Sequence, residues 1–243
     1  MKNILSYPLS VISYLFFFLT LVIFHVIQWI SLKLGGYKAH KKSVDYFTLV
    51  LMRCLDILGS RFSFENTHNI PEDKPCIFVS NHQSLYDIPL ITWYLKKHHP
   101  KFVSKKELGK GIPGVSFNLR HGGSVLIDRK NPRESLVKMA EFAKYLKETN
   151  RSAVIFPEGT RSRTGKPKKF AVRGLQILIR QMPDAVIVPL TINNSWKLFR
   201  YGMFPLDLGI HFKLKVHEPI PVNSSDPESL IALTERTIIK DIE

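Results

Sequence analysis

The stretch CIFVSNHQSLYDIP, residues 76–89, decides how the chain folds. Its first five residues carry no charge and hold Ile, Phe and Val, the composition of a strand covered on both faces. The run turns polar at Asn81 and His82, which places both in the loop at the strand's end. Pro89 fits only the first turn of a helix, so the spacing predicts a helix start close to Asp87. Within one continuous helix, residues five apart would point about 140° from each other. Across a loop and a helix start, His82 and Asp87 can meet.

The same grammar extends outward. Further strand candidates are RFSFEN, KFVS, GSVLID, SAVIFP, AVIVPLTI and IHFKLKVH. Helical patterns fall at residues 90–97, 132–148, 168–181 and 227–242. Nearly continuous apolar strands alternating with helices predict an α/β fold with a mostly parallel central sheet covered by helices. In such sheets chemistry gathers where strands end.

Before this alternation lies a different kind of sequence. From Asn3 to Leu32 no Asp, Glu, Lys or Arg occurs, and the run includes LFFFLTLVIFHVIQWI. As a helix it would be about 45 Å long, against about 30 Å for a bilayer's hydrocarbon core. It could cross with tilt or lie within one leaflet. A signal peptide would have a shorter apolar region and a small-residue cleavage site, a pattern absent from the following SLKLGGYKAHKK. Positive charge lies mostly after the run, at Lys33, Lys38, Lys41 and Lys42, against Lys2 before it. That bias predicts the remainder on the cytoplasmic face of the inner membrane. A second helix, 43–58, carries Phe47, Leu51, Leu55 and Leu58 on one face. Asp45, Arg53 and Asp56 make it too charged to span. The expectation is a membrane-associated two-helix segment turning at Gly35-Gly36, with residues 1–58 as anchoring hairpin, 59–243 as α/β domain and 34–42 as linker.

The totals agree with this division. Of 243 residues 44% are apolar, enough for a core. With 35 Lys+Arg against 20 Asp+Glu, the net charge of +15 favours an anionic partner. Cys54 and Cys76 read as reduced core residues, not a disulfide framework.

His82 and Asp87 suggest general-base chemistry. A neutral imidazole takes a proton from an alcohol while the carboxylate fixes its tautomer. No Gly-x-Ser-x-Gly elbow occurs, so the substrate would supply the attacking hydroxyl. Ser84 and Cys76 are the weaker nucleophile candidates. The structural alternative is that Asp87 only caps a helix, and SLYD also fits a loose capping box.

SAVIFPEGTRSRTGKPKKF places Glu158, Gly159, Thr160 and Arg161 just after another buried strand. A flexible backbone, a hydroxyl and a guanidinium suit a phosphate. The alternative is a basic loop against lipid headgroups, and Arg161 in the site with Lys166, Lys168 and Lys169 at the headgroups combines the two. GKGIPG follows a charged segment, not a strand, so it is a poor dinucleotide site. GTRSRTGKP has five residues between its glycines and Pro167 in place of Ser or Thr, so it is no P-loop. The nine histidines form no His-Glu-x-x-His pattern, and no metal is expected.

Four ordered blocks now stand together: NHQSLYD, SKKELGKGIPG with GGSVLIDR, FPEGTRS, and VPLTINNS. In this order they resemble the glycerolipid acyltransferases with a His-x4-Asp motif, the 1-acyl-sn-glycerol-3-phosphate acyltransferases in particular. The resemblance implies acyl transfer from an acyl carrier protein or coenzyme A thioester to lysophosphatidic acid, without an acyl-enzyme and without a cofactor. It implies His82 as base, Asp87 as its orienter, and Glu158, Gly159, Thr160 and Arg161 as the acceptor-binding block. Lys105 would help hold the phosphate, and Pro189 would be structural or part of the acyl site. IPGVSFNLRHGG departs from the family pattern after Pro-Gly, which bears on acyl or donor preference. Rival readings are an acyltransferase with another acceptor, such as glycerol-3-phosphate, and a non-catalytic lipid-binding membrane protein. Nucleic acid is not an expected partner, since no recognition motif accompanies the charge.

Overall fold

The computed structural model describes residues 4–243. Lys2 and Asn3, which entered the reading of the apolar run, lie outside the described residues. The strands are β1 (Arg61–Glu65), β2 (Cys76–Ser80), β3 (Pro100–Lys105), β4 (Val125–Ile127), β5 (Ser152–Ile155), β6 (Val186–Asn193), β7 (His211–Val216) and β8 (Ile220–Pro221). The helices are α1 (Ser6–Arg53), α2 (Asp87–Tyr94), α3 (Val115–His121), α4 (Pro132–Thr149), α5 (Val172–Gln181) and α6 (Pro227–Lys240). One sheet orders its strands β1-β7-β6-β2-β5-β3-β4, with β8 beside β6. The run from β6 to β4 is parallel, while β7 and β8 are antiparallel to β6. The chain thus forms the expected mostly parallel α/β sheet.

Period-two alternation divides the core. Ile77 and Val79 of β2, with Ala153 and Ile155 of β5, face α4, α5 and α6. Cys76 and Phe78, with Val154, face α2 and the end of α1. All five residues of β2 are buried, which explains its unbroken apolar run. Both cysteines are free and buried.

Helix starts follow their caps. The Asn131 side chain accepts from the Glu134 amide at 3.2 Å, and Asp226 accepts from the Glu228 and Ser229 amides at 3.0 Å. Proline follows each cap at the first helical position, where its missing N–H costs nothing. Other boundaries depart from expectation. The helix expected over 90–97 begins at Asp87 and ends at Tyr94. The one expected over 168–181 begins only at Val172, because Lys168 is drawn back onto the preceding loop. The short helix α3 has no counterpart among the expected elements.

Helix α1 is broken at Gly36, whose φ of 61° and ψ of −159° lie in a region open essentially to glycine alone. The arms before and after it pack on each other. Ser13 Oγ donates to the Cys54 carbonyl at 2.9 Å, and the Phe24 and Phe47 rings lie 5.5 Å apart. The first arm is inside out. Its inward face holds Ser6, Ser10, Ser13, Thr20 and Gln28, at helical spacing, while Val11, Leu15, Phe18, Ile23 and Val26 are exposed. It is attached along its length: Ser10 Oγ accepts from the Leu206 amide at 2.8 Å, and His25 Nδ1 accepts from the Gly114 amide at 3.3 Å. Among the described residues, this is the one helix long and apolar enough to cross a membrane.

Candidate active site

Strands β2, β5 and β3 run side by side in one direction, so the loops that follow them emerge at one edge of the sheet. His82 lies just beyond β2, Glu158 to Arg161 beyond β5, and Lys105 at the last residue of β3.

Asp87 opens α2, but its carboxylate turns back from the helix. Oδ2 accepts from His82 Nδ1 at 2.8 Å, from the Gln83 amide at 2.6 Å and from the Ser84 amide at 2.9 Å. Oδ1 accepts from Ser84 Oγ at 3.2 Å and Ser195 Oγ at 2.6 Å. The amides it satisfies precede the helix, so Asp87 is no N-cap. SLYD does carry the reciprocal bonds of a capping box, since the Ser84 amide donates to Asp87 Oδ2 and the Tyr86 amide donates to Ser84 Oγ at 3.1 Å, so Asp87 holds the loop as well as His82. Five donors on a fully buried carboxylate hold it in one orientation. Because a carboxylate only accepts, His82 carries a proton on Nδ1, and its neutral form presents the lone pair of Nε2.

The imidazole stacks face to face on Phe156, the residue after β5, with centroids 4.1 Å apart and planes 18° from parallel. Its backbone is also fixed. The His82 amide donates to Glu158 Oε1 at 3.1 Å, and the His82 carbonyl accepts from the Ser162 amide at 2.7 Å. The two sequence blocks, 76 residues apart, are thereby joined. Burial raises the Glu158 carboxyl to about 7, against the His82 amide and Lys168, which favour its charged form. Glu158 is therefore tied to the backbone of His82, a contact distinct from the phosphate contact expected of its block. Asn81 ties the loop to β6 by paired bonds with Ile192, 2.8 Å each way.

Gly159 adopts φ 71°, in the left-handed region that glycine accepts freely. Its carbonyl accepts from Arg129 Nη1, and Lys168 Nζ donates to Thr160 Oγ1 and the Arg161 carbonyl at 2.9 Å each. Lys168 is thus a brace of this loop and not a free headgroup lysine. Arg161 and Lys105 are exposed at the same edge. The two weaker nucleophile candidates are badly placed. Ser84 Oγ is turned to Asp87, and Cys76 begins β2 at the far edge, its thiol pushed up to about 12 by burial.

Sequence reading passed over Ser195, Phe156 and Arg129 as site residues. Ser195 and Arg129 do lie within recognisable blocks, VPLTINNS and GGSVLIDR, and that was their only local signal.

Comparison with known proteins bears on this arrangement. The structure of a 1-acyl-sn-glycerophosphate (LPA) acyltransferase, PlsC, from Thermotoga maritima superposes with a TM-score of 0.80 at 28% identity, covering 97% of this chain and 93% of that one. The 1-acyl-sn-glycerol-3-phosphate acyltransferase of Helicobacter pylori is 36% identical over 51% of this chain and 50% of its own length. The alpha enzyme of that name from Ovis aries is 26% identical over 80% of this chain and 66% of its own. The chain thus spans half to two thirds of these curated relatives. A family profile described as Acyltransferase matches residues 61–193. That match runs from β1 to the end of β6, holds every residue of the His82 and Glu158 loops, and covers more than half of the chain, which therefore belongs to the acyltransferase family.

Proposed function

We propose that the chain transfers a fatty acyl group from a thioester, carried on acyl carrier protein or coenzyme A, to the sn-2 hydroxyl of 1-acylglycerol-3-phosphate, giving phosphatidic acid. The observation that carries this reading is the His82–Asp87 pair at 2.8 Å, with Nε2 left unbonded and no hydroxyl or thiol aimed at it among the described residues. His82 Nε2 takes the acceptor's proton as its oxygen attacks the thioester carbonyl. Asp87 stabilises the imidazolium that forms. The tetrahedral adduct collapses, the C–S bond breaks, and the imidazolium returns its proton to the departing thiolate. No acyl-enzyme and no cofactor enter. Lys105 and Arg161 supply the charge for the acceptor phosphate, and Gly159 and Thr160 shape the loop that presents Arg161.

In this reading residues 1–58 anchor the enzyme and residues 59–243 form the catalytic domain. The first arm of α1 lies in one leaflet of the cytoplasmic face and does not cross, since its polar side is bonded to the domain and only its apolar side is free. The acceptor would then reach His82 without leaving the membrane. The test is thiol release in mixed micelles with lysophosphatidic acid, glycerol-3-phosphate and other lysolipids as acceptors. Release that requires lysophosphatidic acid supports the reading. Release driven by glycerol-3-phosphate, or by none of them, refutes the acceptor assignment.

A further inference from the structure

At the edge of the sheet away from His82, where β3 and β5 begin, cations gather that the reaction does not use. Lys101, the second residue of β3, is 7% exposed, and among the described residues its Nζ has no hydrogen bond or ion pair. It lies 5.2 Å from the centroid of the Tyr37 ring, and the Arg151 guanidinium lies 3.6 Å from the same centroid. The Tyr37 hydroxyl is 3.2 Å from His99 Nδ1. Lys41, one turn after Tyr37, donates to Asp45 Oδ2 at 2.6 Å and to the Lys96 carbonyl at 2.7 Å. Asp45 is the carboxylate facing this group, and Lys41 already holds it.

Three cations thus face one carboxylate around a half-buried ring. Burial, then Arg151 and Lys41, lower Lys101 to about 7, and burial with the same cations holds His99 at about 4. The fully buried His40, which feels the Lys101 charge, has neither ring nitrogen bonded among the described residues. Folding rarely leaves buried polar groups unmatched unless something else supplies the partner.

We propose that Tyr37, Lys41, Lys101 and Arg151 form a second anion site that binds a phosphate group, supplied by the headgroup of an anionic phospholipid. Two ammonium groups, a planar guanidinium and a phenol hydroxyl are the donors that phosphate oxygens take. The lipid source follows from position. The cluster sits by the break in α1 at Gly36, where Trp29, Ile30 and Leu34 of the apolar arm are exposed. Lys105, in the acceptor region, is four residues further along β3, about 13 Å away, so one phosphate cannot serve both places.

The test uses the full chain and measures binding, so it does not depend on acyl transfer. Flotation compares phosphatidylcholine vesicles with and without phosphatidylglycerol, for wild type, for Lys101→Met with Arg151→Gln, and for a control, Lys33→Gln with Lys38→Gln, which removes two exposed lysines near the same end. The gain from phosphatidylglycerol should fall roughly tenfold or more in the first double variant and much less in the control. Acyl transfer in detergent micelles should stay unchanged. Equal losses in both variants would mean bulk charge attraction and would overturn the site. In parallel, inorganic phosphate at constant ionic strength should raise the Tm of wild type but not of the double variant. A phosphate-dependent Tm together with unaltered flotation would keep the anion site and overturn its lipid source. Should the double variant not fold, Lys101→Met alone decides. It removes an unpaired buried cation and should raise Tm in phosphate-free buffer while abolishing the phosphate response, and a phosphate response equal to wild type would overturn the proposal.

Discussion

Asp87 and Lys101 are both buried ionisable side chains near opposite edges of one mostly parallel sheet, yet five donors converge on Asp87 and, among the described residues, no bonded partner meets Lys101. A buried charge surrounded by fixed donors is held in place before any substrate arrives, which is what orienting a base requires. A buried charge with no partner carries its desolvation cost uncompensated. The first edge is complete in the free protein. The second is complete only with an anion present. Sequence alone shows neither state, because Asp and Lys look equally polar on the page.

The largest effect that sharpens this contrast is the loss of the His82 imidazole. His82→Ala should reduce thiol release with lysophosphatidic acid by roughly 10²–10⁴-fold, with little change in Tm, since Asp87 keeps four of its five donors. Activity within threefold of wild type would mean that His82 is only structural. Next comes the apolar arm. Phe16→Ser, Leu19→Ser and Ile23→Ser together should lower partition onto vesicles by roughly 100-fold while Tm holds, because all three side chains are exposed. By contrast, Phe78→Ala in the core should cost about 3–5 kcal/mol in urea unfolding. Equal Tm losses from the two changes would show that the arm packs as ordinary core.

Glu158 gives a smaller, pH-dependent signal. The folded state keeps its proton up to about 7, whereas an ordinary glutamate gives it up near 4.5. The unfolded chain therefore binds fewer protons between those values, and stability falls as pH rises through that window, by about 1–3 kcal/mol. Glu158→Gln should flatten that part of a Tm-against-pH curve. An unchanged slope would show that another group carries it. The smallest effect is at Ser195. Ser195→Ala removes one of the five donors to Asp87, and should cost about 1 kcal/mol and a few-fold in kcat, with KM for the acceptor steady. A change in KM alone would place Ser195 in acceptor binding instead.

The strands were legible because their apolar runs are local, and so was the approach of Asp87 to His82, because five residues and a proline constrain it. The braces were not. Ser195 lies 108 residues from Asp87, Arg129 lies 30 from Gly159, and the joining of His82 to Glu158 depends on β2 pairing with β5. Tertiary pairing sets such contacts, and no periodicity reports it. The arm of α1 shows a different limit. An uncharged run announces contact with lipid, but the serines at helical spacing among its apolar residues are what fix the inward face. Helix α3 was missed because seven residues after Pro113-Gly114 carry too short a pattern to register.

The central claim is that Asp87 acts on the chemistry through His82 and not merely on the fold of its loop. Asp87→Asn tests it most directly. The amide keeps an oxygen for the three donors now on Oδ2 and offers its NH₂ to two hydroxyls that can rotate to accept, so the loop should stay folded. What it loses is the charge that, in the proposed mechanism, stabilises the imidazolium. Thiol release from acyl donors with lysophosphatidic acid, measured beside wild type in mixed micelles, should drop by at least roughly 100-fold at unchanged Tm. A folded Asp87→Asn variant as active as wild type would contradict the account.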